Sequence, residues 1–62
     1  MNDREKQQAA SIEQEFPGWE AWVTLHGQWR VRLKHSEPVV MLFDDTPEGL
    51  RGQVREWIAK HP

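Results

Sequence analysis

The chain has 62 residues without a cysteine, and its 8 basic and 10 acidic side chains give a formal net charge of −2. So short a chain builds one domain, near the size at which a single core becomes marginal, and no disulfide can support it. The charge balance excludes a uniformly basic nucleic-acid binder, so any such site must be local. The longest apolar run, Val39 to Phe43, falls far short of the roughly 20 residues a membrane helix needs.

The first 11 residues are charged, Gln-rich or small and lack the apolar centre of a signal peptide, which makes a cytoplasmic protein the expectation. Asn2 to Phe16 contain a succession of good helix formers, Asp3 to Ala10 among them. Ala9, Ile12 and Phe16 share one helical face, a thin stripe for a helix of this length. A frayed start over residues 1–8 and a better ordered second half are expected, with Pro17-Gly18 closing the helix.

Trp19 to Leu33 reads as two alternating strands joined at a glycine. Trp19, Ala21 and Val23 share one side of the first strand, and Trp29, Val31 and Leu33 share one side of the second. A two-residue turn at His26-Gly27 has the wrong parity to put both sets on one face. A three-residue turn of Leu25, His26 and Gly27, with glycine left-handed at the third position, has the right one. Val23 then faces Trp29, Ala21 faces Val31 and Trp19 faces Leu33. On the other side this register sets Trp22 beside Arg30, Glu20 beside Arg32 and Thr24 beside Gln28, complementary pairs worth roughly 0.2–1 kcal/mol each.

Lys34 to Pro38 are polar and turn-prone, hence a loop. Val39 to Phe43 follow as a short strand apolar on both sides, the mark of a central or doubly covered position. With Val39, Met41 and Phe43 joining the main core, Val40 and Leu42 fall on the opposite face near Trp22. Asp44-Asp45-Thr46-Pro47-Glu48 is a strong helix start: Asp45 or Thr46 caps, proline suits the first turn, and acidic groups suit the positive end of the dipole. Leu50, Val54, Trp57 and Ile58 then form one apolar stripe in a helix ending near Lys60. Gly49 and Gly52 weaken its first half, each by up to about 1 kcal/mol relative to alanine. The fold class is α+β, in the order α-β-β-β-α, as one domain over residues 1–62 with the last helix packed on one face of an antiparallel sheet.

Pro17-Gly18-Trp19, Trp29-Arg30-Val31-Arg32 and Asp45-Thr46-Pro47-Glu48-Gly49-Leu50 resemble the pattern of a group of short bacterial proteins of unknown function. That group often has histidine before Pro-Gly, where this chain has Phe16. Residues 19 to 60 also resemble, more loosely, the β-β-β-α unit of HicB-type antitoxins. This chain departs from that pattern in lacking its Pro- and Gly-containing turn between the later strands and its separate DNA-binding tail. The resemblance implies a small sheet-and-helix fold with a regulatory or partner-binding role, and it assigns no residue a task.

No catalytic set emerges. Asp44 and Asp45 are explained by capping, and Ser11, Thr24, Ser36 and Thr46 have no histidine at a spacing that would make a nucleophile–base pair. His26, His35 and His61 sit in a turn, a loop and the tail without a ligand-like spacing, so neither a metal nor a cofactor is expected. The expectation is a protein-interaction or regulatory accessory module, self-associating or meeting a protein partner through an interface of Trp22, Val40 and Leu42 with Ile12 and Phe16 of the first helix, the last two being also the chain's own possible cover for that face. A nucleic-acid site on Arg30, Arg32 and Lys34 beside Trp22 is the alternative. An antitoxin-like subunit is a third, by analogy alone.

Overall fold

The computed structural model describes residues 2–62; Met1, the first of the residues expected to fray, lies outside them. Helix α1 (Asp3–Glu15) leads into strands β1 (Trp19–Val23), β2 (Trp29–Leu33) and β3 (Met41–Asp44), and helix α2 (Pro47–Lys60) closes the order. The strands form one antiparallel sheet in sequence order, and both helices pack on the same side of it, giving an α+β fold of two layers. Among the described residues no helix is long and apolar enough to cross a membrane.

The hairpin takes the register that its two faces demand. Val23 pairs with Trp29, Ala21 with Val31 and Trp19 with Leu33, while Trp22 meets Arg30 and Glu20 meets Arg32 on the other side. The turn holds three residues between Thr24 and Gln28. The Thr24 N–H donates to Gln28 O at 2.9 Å, the Gly27 N–H donates to Thr24 O at 3.0 Å, and Gly27 has φ +81°. A Cβ on Gly27 would touch nothing within 4 Å, so a substitution there strains only the backbone. Gly27→Ala is therefore expected to cost roughly 1–2 kcal/mol, the penalty of a left-handed non-glycine residue. A urea midpoint unchanged by the substitution would contradict the turn geometry.

Helix α1 is tied down at both ends. Asn2 and Glu5 form a reciprocal capping box: the Glu5 N–H donates to the Asn2 side chain at 2.8 Å and the Asn2 N–H to Glu5 Oε1 at 3.1 Å. That box explains why the segment expected to fray is helical from Asp3. Near the other end Glu15 accepts from Arg51 at 3.2 Å and from Arg55, and Arg51 also donates to the Ser11 hydroxyl at 3.0 Å. Between these ties Ala9, Ile12 and Phe16 enter the same core as Trp19, Trp29, Val31, Leu50 and Val54. The structure thus corrects the expected placement of Ile12 and Phe16. Both are buried with α2 on one side of the sheet and cover nothing on the other.

The phase of β3 is also opposite to the expected one. Val31 pairs with Leu42 and Arg30 with Phe43, and the Leu33 N–H donates to Val40 O at 3.0 Å. Leu42 and Val40 therefore face the helices and pack against the core, whereas Met41 and Phe43 point away, 43% and 58% exposed. Val39, placed in the core from the sequence, is exposed in the preceding loop.

Thr46 caps α2, its hydroxyl accepting from the Gly49 N–H at 3.0 Å, and Pro47 occupies the first turn. Asp44 supports the cap, accepting from the Thr46 N–H at 3.0 Å and from its hydroxyl at 3.2 Å. The backbone hydrogen bond from Thr46, assisted by the Thr46 hydroxyl and by Gln53, holds the Asp44 carboxyl below its ordinary range. Leu50 and Val54 are fully buried, and Trp57 meets Trp19 edge-on with ring centres 5.3 Å apart. Ile58, the margin of the stripe, is largely exposed.

The outer strands are engaged by groups from the helices and their ends. Along β1 the Trp19 N–H donates to Phe16 O at 2.9 Å and the Ala21 N–H to Glu13 Oε2, also at 2.9 Å. Along β3 the Gln53 amide donates to Phe43 O at 2.7 Å and to Asp44 Oδ1 at 3.1 Å.

Candidate functional site

Because both helices occupy one side, no described element covers the other side of the sheet, and strand alternation fixes which residues it presents. The first row across the strands is Trp22, Arg30 and Phe43; the second is Glu20, Arg32 and Met41. Lys34 continues the even-numbered side of β2, its N–H donating to Gly18 O at 2.9 Å as the ladder runs on. Adjacent strands lie about 4.8 Å apart, so Trp22 and Phe43 stand roughly 10 Å apart with a guanidinium between them.

The two guanidinium groups of this face are held in place. Arg30 directs Nε and Nη2 to Gln28 Oε1 at 3.0 and 2.8 Å, two bonds to a neutral acceptor that leave its charge uncompensated. The guanidinium expected to rest on Trp22 is thus turned toward Gln28. Arg32 pairs with Glu20 at 3.0 Å, both side chains well exposed, as the register implied. The face carries three cations against one carboxylate, a net +2, in a chain of net −2; the remainder of the molecule therefore carries −4. Glu13, Glu15, Asp44, Asp45, Glu48 and Glu56 all lie on or between the helices and the β3–α2 turn.

Of the residues singled out from the sequence, Trp22, Arg30, Arg32 and Lys34 come together here. Val40 and Leu42 do not, because they lie under the helices, and Ile12 and Phe16 belong to the buried core. Met41 and Phe43 are the site residues that sequence reasoning missed. The signal for them was Asp44: a carboxylate that supports the cap of α2 must turn toward that helix, so alternation sends Leu42 the same way and Phe43 the other.

Among the described residues, clefts flank the sheet. One, of about 420 Å³, lies at the hairpin end between Trp22, Val23, the turn and Glu5 of α1, and it adjoins the uncovered face through Trp22. Another, of about 340 Å³, lies between Leu42 and the last turns of α2, where Trp57 and His61 stack with centres 4.2 Å apart. His26, in the hairpin turn, and His35, in the β2–β3 loop, line neither cleft. Compared with protein-family models, with curated proteins and with solved structures, the chain matches none of them.

Proposed function

We propose that the chain is a binding module that holds an anionic partner on the uncovered face of its sheet. The observation that carries this reading is the row Trp22, Arg30, Phe43, in which a fixed cation stands between two rings on the side away from both helices. Contiguous exposed apolar surface marks interaction sites. Here that surface is interleaved with Arg30, Arg32 and Lys34, so the fitting partner supplies negative charge as well as apolar contact.

Charge also favours a different molecule over a second copy. If two copies stacked face to face about a two-fold axis with full overlap, one β2 would lie on the other. Arg30 and Arg32 would then confront the same two residues, and like charges brought together in a contact oppose it. Self-association was expected partly through Val40 and Leu42, which lie beneath the helices. A heterologous anionic partner meets none of these objections.

Despite its net negative charge, the protein is expected to be retained at low salt on a polyanionic matrix and released as salt screens the contact. Arg30→Glu combined with Arg32→Glu should abolish retention with unchanged circular dichroism, since neither side chain is in the core. Equal retention of wild type and double variant would sink this reading. Sedimentation should give a monomer at micromolar concentration; a dimer dissolved by Phe43→Glu would replace the anionic partner with a second copy.

A further inference from the structure

We infer that the anionic partner is single-stranded nucleic acid, an inference that rests on the face being the binding site. Three features of the face select this class. First, the row Trp22, Arg30, Phe43 alternates ring, cation and ring, and a nucleic-acid strand alternates flat bases with phosphates in the same way. Second, Phe43 is 58% exposed beside a guanidinium, as is useful for stacking on a base, whereas an acidic peptide has a use for the cations and little for an open ring.

Third, the cations are spaced for a chain of charges. Arg30 and Arg32 lie two residues apart on β2, about 7 Å, and Lys34 follows two residues later, just past the end of the strand. Arg30 spends two donors on Gln28 and keeps the rest of its fork for a phosphate oxygen. Lys34 is exposed, and Arg32 can exchange Glu20 for a phosphate at little cost because that pair is solvent-screened. Duplex is the poorer fit. The rings stand on a sheet, where they can stack only on unpaired bases, and the negative charge of the helix layer repels a second strand that wraps around the module.

The test is fluorescence anisotropy of labelled oligothymidylate of about ten nucleotides, within the range of site sizes seen for one small fold, with a hairpin duplex and polyglutamate as competitors. Binding is expected at about 50 mM salt, with log affinity falling against log salt at a slope near −2, the value for three neutralised phosphates on a single strand. Trp22→Ala and Phe43→Ala should each weaken it by about 5- to 150-fold, the range for loss of one stacked base. Trp22→Phe, which keeps a ring, should restore most of the affinity; it also serves if Trp22→Ala disturbs folding.

Stronger competition by duplex than by single strand would overturn the inference. So would unchanged affinity in both alanine variants with polyglutamate competing equally, a result that leaves the face as a site for acidic polypeptide. If no polyanion binds at that salt, both this inference and the proposed function fail together.

Discussion

Replacing Ile12 by alanine should lower the unfolding free energy by about 2–5 kcal/mol, the range for truncating a fully buried aliphatic side chain. Ile12 is 0% exposed and lies in one cluster with Val31 of β2 and with Leu50 and Val54 of α2. At about 0.05–0.15 kcal/mol per residue, a chain of 62 residues has only about 3–9 kcal/mol to lose. The variant should therefore be largely unfolded at moderate urea, read by the fluorescence of the buried Trp19 and Trp29. A loss under about 1 kcal/mol would mean that α1 lies outside the cooperative unit and that the core is the sheet with α2 alone.

Alanine at the two glycines of α2 should act in opposite directions. A Cβ on Gly49 would lie 2.6 Å from Asp44 Cγ and closer still to Oδ2. That carboxylate cannot step aside without releasing the Thr46 N–H, the Thr46 hydroxyl and the Gln53 amide, so Gly49→Ala dismantles the start of the helix. The expected cost is about 1–3 kcal/mol despite the better helix propensity of alanine. Gly52 has open space around it, and Gly52→Ala should instead stabilise by about 0.5–1 kcal/mol. For a domain of this size that is several degrees in Tm, at roughly 4–8 °C per kcal/mol. Calorimetry of both variants checks the pair, and a gain at Gly49 would show that Asp44 is not fixed where the cap needs it.

Asp44 gives the same cap a pH dependence. Its carboxyl titrates below the ordinary range in the folded chain, chiefly through the Thr46 N–H, so the unfolded state binds its proton first. The stabilisation is complete above the unfolded pKa and is lost as pH falls through the folded one. Asp44→Asn should therefore melt lower than wild type at neutral pH, with the two curves converging in acid. A difference that persists undiminished in acid would assign the effect to shape rather than charge.

The hairpin was legible because two independent faces agreed on one register, apolar pairs beneath and complementary polar pairs above, and only one turn length served both. Helix α2 was legible from Thr46-Pro47 and its stripe. The phase of β3 was not, since Val39 to Phe43 are apolar at every position and alternation has nothing to grip; it is settled by pairing with β2 and by Asp44. That one ambiguity carried α1 with it. The stripe of Ala9, Ile12 and Phe16 was visible, but its destination depended on which side β3 left open. The Asn2–Glu5 box was present at capping spacing, yet its effect on the start of α1 emerges only from the geometry. Gly49 needed coordinates altogether, because its neighbour Asp44 meets it across a turn.

Glu13 and Gln53, the helix side chains seated on the outer strands, have a consequence for how copies can meet. A foreign strand seeking to lengthen the sheet beside β1 finds the Trp19 and Ala21 donors already engaged, and beside β3 it finds the Phe43 carbonyl engaged. Pairing at the Ala21 donor or the Phe43 carbonyl requires displacing Glu13 or Gln53 first. Part of each rim is thereby closed to edge-to-edge pairing, a common route of aggregation.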